Sequence, residues 1–568
     1  MNSFSRKSPP PPLSPVPFQL PPAHSLELEN GLRVVIFEDS RLPLVSFRLA
    51  FRFGDADDPA DLIGLTSSVA SMLTEGTENY SSRELAEKVE RLGASLSASS
   101  SDDFTIVAAS ALDLYASEML DLIAEVVFRP TFPEEELDLY RRNTLEHLKF
   151  QRSQPSFLAN EQTSRIVYQD HPYSRISPRA EDIEKLTRER LADFQSRAFV
   201  PNNAVLVVVG DIQREELLKE IDGHFGSWES GPIRARKAPS PEPLTASRLC
   251  VVDRPGSAQA NIVLSNIGIN RDHPDYFPVL VMNQVLGAGA SSRVFMNLRE
   301  EKGYTYGAYT RFEMKKDFGT FEATTEVRSA VTGDSLKEFF YELGRIRDDK
   351  VPDAEMDDAK NFLTGVFPIR AETLDGLTNL IVMQELYGLP ADYLQTYRSR
   401  VAEVTPDQVN DAARKYIHPQ NLAVVIVGDA GEIIPQARGY ASEIEVFDVD
   451  GNRIDAAKYH EVDGAEPHDF KGDWALDLEF QGQVVPVQLN VSQEGTSVSG
   501  TLNTALGSGA FSEGSVTGDK FVATAVTDIQ GQSIEFLIKG SLSGEIMAGT
   551  ISAAIIPDSL PFTGRRKA

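Results

Sequence analysis

TRERLADFQSRAFVPNNAVLVVVGD, residues 187–211, returns without a gap as TPDQVNDAARKYIHPQNLAVVIVGD at residues 405–429. Thr187 and Thr405 coincide, as do Asp193 and Asp411, Pro201 and Pro419, Asn203 and Asn421, Val207 and Val425, Val209 and Val427, and the closing Gly-Asp pairs. In each copy a Thr suited to cap a helix opens the segment and a Pro-x-Asn corner follows. An unbroken apolar run, the pattern of a buried strand, then ends at Gly-Asp. Matching over an ungapped stretch of this length indicates an internal duplication. Residues 26–228 and 248–429 are therefore expected to be two copies of one α+β unit, strands and helices packed in two layers, joined by a proline-bearing linker at 229–246.

Outward from the repeat, residues 26–39 and 42–54 read as two strands, the first turned at Glu29-Asn30-Gly31. Helical spacing covers 62–73, 82–92, 114–127, 134–150 and 188–197, with strands in 95–109 and 204–209. After Asp429 the character changes. Residues 430–467 form a connector in which Asp448-Val449-Asp450-Gly451-Asn452 resembles half a calcium loop, but no closing Glu follows at the required spacing, so a hairpin turn is expected. From Phe470 onward short alternating segments such as WALDLEF (474–480) and FVAT (521–524) are divided by glycine turns, the pattern of a small antiparallel barrel or sandwich.

The composition excludes several classes. A chain of 568 residues is too long for one core. Its net charge of −29 argues against nucleic acid or an anionic membrane surface as partner, and no apolar run is long enough for a membrane-spanning helix. The single cysteine, Cys250, rules out an internal disulfide and reads as a buried strand residue. The Pro-rich start lacks the apolar core of a secretory signal. As written, the chain reads as cytoplasmic, with periplasm or cell envelope as the alternative if a signal has been lost.

GAGASSRVFMNLREEKGYTYGAY, residues 287–309, carries the candidate chemistry. Helical spacing runs over 291–301, Lys302-Gly303 ends it, and 304–309 alternates like a strand, so Arg299 leaves a helix end and Tyr306 sits on the strand. Two such side chains can converge on an extended peptide, Arg donating to carbonyl oxygens and the Tyr hydroxyl to an oxygen that gains charge. The ordinary alternative is a surface ion pair of Arg299 with Glu300 or Glu301, and a Tyr in the core.

Leu298-Arg299-Glu300-Glu301-Lys302-Gly303-Tyr304-Thr305-Tyr306 resembles the Arg/Tyr signature in the non-zinc half of the pitrilysin and insulinase (inverzincin) family of zinc metallopeptidases. His171-Pro172-Tyr173, Pro201-Asn202-Asn203, Val207 to Asp211 and Ser291 to Phe295 extend the resemblance over both copies. It implies that Arg299 and Tyr306 hold substrate opposite a zinc site. Active members carry H-x-x-E-H on the first helix of the first domain, two His binding the metal and the Glu taking a proton from its water. Here Ser67 and Ser71 stand at the His positions, Ala70 at the Glu, and His147, or Glu146 one residue earlier, at the third ligand. The resemblance therefore implies a non-catalytic subunit of the processing-peptidase-like heterodimer type. Such a chain holds no zinc itself, is inactive alone, and pairs with an H-x-x-E-H subunit that brings the zinc, with peptide as substrate. A catalytically inert scaffold or peptide-binding protein is the other reading.

The expected organisation is a Pro-rich tail (1–24), a first peptidase-like domain (25–230), a linker (231–247), a second such domain (248–432), a connector (433–468) and a C-terminal β domain (469–568). Gly472-x-Trp474 and the late Arg565-Arg566 loosely resemble lipocalin-like barrels. A stable module without ligand is an equal expectation there.

Overall fold

A computed structural model describes residues 20, 23–233, 235–459, 467–480, 483–504, 507–529, 532–553 and 559–567. The expected Pro-rich tail lies almost wholly outside the described residues, as does part of the connector. The first half holds strands β1 (His24–Glu27), β2 (Arg33–Glu38), β3 (Leu44–Phe51), β4 (Ser95–Ser100), β5 (Thr105–Leu112) and β6 (Ala204–Gly210), in the order β1-β2-β6-β3-β5-β4. The second holds β7 (Arg248–Asp253), β8 (Gln259–Ile267), β9 (Ala308–Met314), β10 (Gly319–Arg328), β11 (Ala423–Gly428), β12 (Glu443–Phe447) and β13 (Arg453–Ile454), in the order β13-β12-β7-β11-β8-β10-β9. Strands β2-β6-β3-β5-β4 thus repeat as β7-β11-β8-β10-β9. In both, the repeated apolar strand lies parallel to one neighbour and antiparallel to the other.

The local rules of the repeat hold in each copy. Thr187 and Thr405 accept the amides of Arg190 and Gln408 at 3.3 Å and start their helices. The Gly of each Gly-Asp pair is needed because the adjacent strand lies close. A Cβ on Gly210 would stand 2.2 Å from the Leu44 carbonyl oxygen, and one on Gly428 3.0 Å from that of Gln259. Where 26–39 was expected to be one turned strand, the Asn30-Gly31 turn separates β1 from β2. Asp448 closes a hairpin turn between β12 and β13, accepting the amides of Asp450 and Asn452.

The continuous apolar character of β6 and β11 has a cause outside each half. Leu206 and Val208 face the helices of the first half, whereas Val205, Val207 and Val209 pack with residues of the helix Leu374–Leu386 from the second. Reciprocally, Val424 and Ile426 face their own half. Ala423, Val425 and Val427, with Cys250 and Val252 of β7, pack against Leu158, Ala159, Ile166 and Val167 of the helix Pro155–Tyr168 from the first half. Each sheet is therefore covered on one face by a helix of the other copy. Cys250 is fully buried, and burial pushes its thiol up to about 12. Polar contacts register the exchange: Arg33 meets Glu385 at 2.5 Å, and Arg48 and Ser46 meet Asp375 at 3.0 and 2.8 Å.

The C-terminal β region is a closed eight-stranded antiparallel barrel from Gly472–Phe480 to Leu560–Arg566, the last strand pairing with the first. Trp474, Leu489, Phe511, Phe521 and Phe562 pack in its interior. The Trp474 indole donates to the Phe470 carbonyl at 2.8 Å, and the Arg566 guanidinium lies 5.0 Å from the ring centre. Lys539 joins the barrel to the second half through Asp429 at 3.2 Å and Glu432 at 2.6 Å. No helix among the described residues is long and apolar enough to cross a membrane.

The exchange makes a direct prediction. Leu158→Ala, a truncation in a helix encoded by the first half, is expected to lower unfolding stability by about 2–5 kcal/mol. It should also raise hydrogen exchange at the β11 amides of the second half, as measured by denaturation and mass spectrometry.

Candidate functional site

The helix Leu65–Met72 carries the three positions where the resemblance places a metal motif. Ser67 donates its hydroxyl to both oxygens of Asp55, at 2.8 and 2.7 Å. Asp55 lies in a turn clamped by backbone bonds to Ser101 and Asp102 at the tip of the β4–β5 hairpin. Ala70 is buried and Ser71 is exposed. Tyr140, on the helix Glu134–Ser153, donates to Ser68 at 3.1 Å. His147 lies two turns further along that helix and is exposed, and Glu146 pairs with Lys149 at 2.7 Å. Burial raises the Asp55 carboxyl above its usual range, opposed by the bond from Ser67. A zinc centre needs three or four imidazole, thiolate or carboxylate donors turned to one point. Two hydroxyls, a methyl group and one exposed imidazole do not supply it. Among the described residues no three His, Cys, Asp or Glu side chains gather as a metal-binding group.

The Arg/Tyr stretch is built differently from the sequence reading. A short helix at Arg293–Phe295 widens into a π-helical turn over Met296–Glu301, in which Lys302 N–H donates to the Asn297 carbonyl. Gly303 then adopts a left-handed φ of 66°. Tyr306 is not on a strand: it stands at a bend, and pairing in β9 begins only at Ala308 opposite Thr325. The reason is a pair of competing hydroxyls. Thr305 donates to the Glu326 carbonyl at 2.7 Å and accepts the Gly307 amide, and Thr325 donates to the Gly307 carbonyl. Tyr306 consequently projects into solvent, 93 % exposed. The Arg299 guanidinium lies 4.8 Å from the centre of the buried Phe295 ring, which also meets the Tyr309 ring at 5.5 Å, and its ion pair with Glu300 is loose at 3.6 Å.

The family model described as Insulinase (Peptidase family M16) matches residues 33–178, and that described as Peptidase M16 inactive domain matches residues 185–363. This chain belongs to the M16 peptidase family. An "uncharacterized zinc protease YmxG" of Bacillus subtilis is 24% identical over 412 residues, covering 71% of this chain and 98% of that protein. A "non-peptidase homolog YmxG" of Helicobacter pylori is also 24% identical over 412 residues, covering 71% and 93%. A crystal structure of a peptidase M16 inactive domain from Pseudomonas fluorescens superposes with a TM-score of 0.68 at 27% identity, covering 72% of this chain and 98% of that one.

Within this M16 fold the structure brings together residues that sequence spacing gave no reason to associate. Arg236, in the linker, reaches Asp57 and Asp103 of the first half at 2.9 Å each and Asp317 of the second at 3.0 Å. Asp103 and Asp317 stand on the tips of equivalent hairpins, β4–β5 and β9–β10. The tips also touch directly, Lys315 meeting Asp102 at 2.8 Å and the Lys316 amide donating to Asp103 at 2.9 Å. Tyr173 donates to Asp103 at 2.5 Å. Burial disfavours the Arg236 charge, but the bonds to Asp57 and Asp103 outweigh it and raise its pKa. The linker is thus pinned where the two halves meet.

Two outcomes test this junction. Arg236→Met leaves Asp103, only 3 % exposed, without its cation, and is expected to cost about 3–5 kcal/mol of unfolding stability. The His171 ring nitrogen at 3.7 Å and the Arg236 charge hold the Asp317 carboxyl below the ordinary carboxylate range. A depressed carboxylate adds stability above its unfolded value of 3.8 and loses it as pH falls through the lower folded value. The stability gap between wild type and Asp317→Asn, about 1 kcal/mol at neutral pH because the group is partly exposed, should therefore close in acid titration below that value.

Proposed function

We propose that this chain is the non-catalytic, substrate-binding subunit of a heterodimeric zinc metallopeptidase, with Arg299 and Tyr306 holding peptide in a chamber whose zinc site belongs to an H-x-x-E-H partner. The observation that carries this reading is Tyr306. A phenol 93 % exposed on a bend tied by Thr305 and Thr325 contributes little to packing, and Arg299, seven residues earlier in the chain, lies against a fixed aromatic ring. Both groups are donors facing solvent, suited to a peptide's carbonyl oxygens. The partner's metal would activate water. This chain's task is to orient the peptide, Arg299 by donating to a main-chain carbonyl and Tyr306 by donating to the oxygen that gains charge. An extended peptide can add to a free sheet edge, and β4, SLSASS, is one of the two outer strands of the first sheet.

The second reading, an inert peptidase-like scaffold, draws on the name of the Helicobacter relative, a "non-peptidase homolog". In that case the barrel, held by Lys539, is the working part.

The discriminating experiment mixes the purified chain with an H-x-x-E-H paralogue from the same genome. Chelator-sensitive cleavage of a test peptide should appear only in the mixture. Tyr306→Phe, which deletes one hydroxyl, should lower kcat by about 10²-fold, and Arg299→Ala should lower kcat/KM. Unchanged turnover in both variants would leave the scaffold reading standing.

A further inference from the structure

A groove of about 600 Å³ lies on the seam between the two halves, where the β2–β3 turn of the first half faces the end of the helix Asp353–Arg370 and the start of the helix Leu374–Leu386 of the second. Phe37, Pro368, Ile369, Ala371 and Leu377 form its apolar wall. Phe37 and Leu377 are buried, but Ile369, on the last turn of its helix, is 65 % exposed, so the apolar wall continues out to the lip.

One more apolar side chain lines the groove, and it comes from the start of the chain. Among residues 1–22 only Leu20 is described, and it packs, partly buried, against the core cluster that spans the two halves. Strand β1 runs antiparallel to β2 with His24 opposite Ile36, so the chain before His24 heads past Phe37 toward the β2–β3 turn. Leu20 stands where that direction leads. The residues before it are therefore tethered at the groove itself.

Their composition suits it. Residues 9–19, PPPPLSPVPFQ, set Leu13, Val16 and Phe18 among prolines. Proline fixes φ in advance, so such a segment gives up little conformational entropy when it docks on an apolar groove. At about 3.1 Å per residue in a polyproline helix, Phe18 and Val16 come about 6 and 12 Å beyond Leu20. The rim of the groove carries Glu38 and Glu372, while Asp39 is matched by its neighbour Arg41 at 2.6 Å. Residues 1–19 contain no acid and bring no like charge to that rim, whereas the surface of a second copy, at −29 per chain, does.

We propose that residues 13–19 of this chain, LSPVPFQ, occupy the groove, with Phe18 covering Ile369, and strap the first half to the second across the seam. The proposal goes beyond the subunit reading and does not depend on it.

The test is photo-crosslinking in the full chain with Phe18→p-benzoylphenylalanine, the products mapped by mass spectrometry. Cross-links should form within one chain, to residues 37–41 or 368–377, and their yield should fall at least tenfold when Ile369→Glu is added. Ile369 is exposed, so that substitution spares the fold. In a second arm, a fluorescent peptide of residues 1–19 should bind a chain lacking residues 2–19 at least tenfold more tightly than it binds the full chain, whose tethered segment competes at a millimolar effective concentration. Cross-links to other surfaces, cross-links joining two copies, a yield unchanged by Ile369→Glu, or equal affinity of the peptide for the two folded chains would each overturn the proposal. The cross-linking uses the full chain, so it decides the matter even where the shortened chain does not fold.

Discussion

Each of the two sheets has two apolar faces, and each copy covers only one of them with its own helices. The second face is closed by exchange, Pro155–Tyr168 lying on the second sheet and Leu374–Leu386 on the first. A buried Val, Leu or Ile contributes about 1.5–3 kcal/mol, so separating the copies would expose several such side chains on four surfaces at once. That cost makes the pair one rigid body, and the linker does not need to hold the halves together. It is free to carry a different load, which is Arg236 at the meeting point of the two equivalent hairpin tips. A hinge at that linker would have to break the Arg236 ion pairs and both exchanged helix contacts together.

The duplication and its strands were open to reading because their signals are local. Thr187 and Thr405 cap helices, Gly210 and Gly428 admit a neighbouring strand, and Val207 and Val425 continue an apolar run, all within one short segment. Alternation and turns likewise lead to a barrel or sandwich, and the structure decides for the closed barrel, where Trp474 and Arg566, distant in sequence, meet as its two ends close. The exchanged helices were missed for a physical reason. Pro155–Tyr168 buries Glu161, Gln162 and Thr163 along with Leu158 and Ile166, so it lacks the polar face that marks an amphipathic helix. Leu374–Leu386 buries Leu377, Ile381 and Val382 but uses its polar residues across the interface, Asp375 and Asn379 accepting from Ser46 and Arg48 of the first sheet, a role that sequence spacing does not display.

The candidate residues Arg299 and Tyr306 are named by the resemblance, since spacing alone favours an ordinary ion pair and a core tyrosine. The strand expected to carry Tyr306 gives way to a bend because two Thr hydroxyls outbid the ladder for the Gly307 backbone. The junction was invisible for another reason. Asp57, Asp103, Asp317 and Arg236 come from four separated segments, and in a chain with a net charge of −29 no single Asp stands out. Only the meeting of two equivalent hairpins makes them one cluster.

The altered motif helix bears on whether it is a metal site waiting for metal or a surface that no longer needs one. An unfilled centre would leave buried polar atoms facing one another with no bond partner, at a cost of about 1–3 kcal/mol each. Ser67 instead gives its hydrogen to Asp55, Ser68 gives its own to the Gly64 carbonyl at 2.6 Å and accepts Tyr140, Ala70 has nothing to satisfy, and Ser71 reaches water. The same turn that would sit beside a metal is held by Ser101 and Asp102 of the hairpin that Arg236 pins from its other side. The helix is thus satisfied by bonds this chain makes for itself.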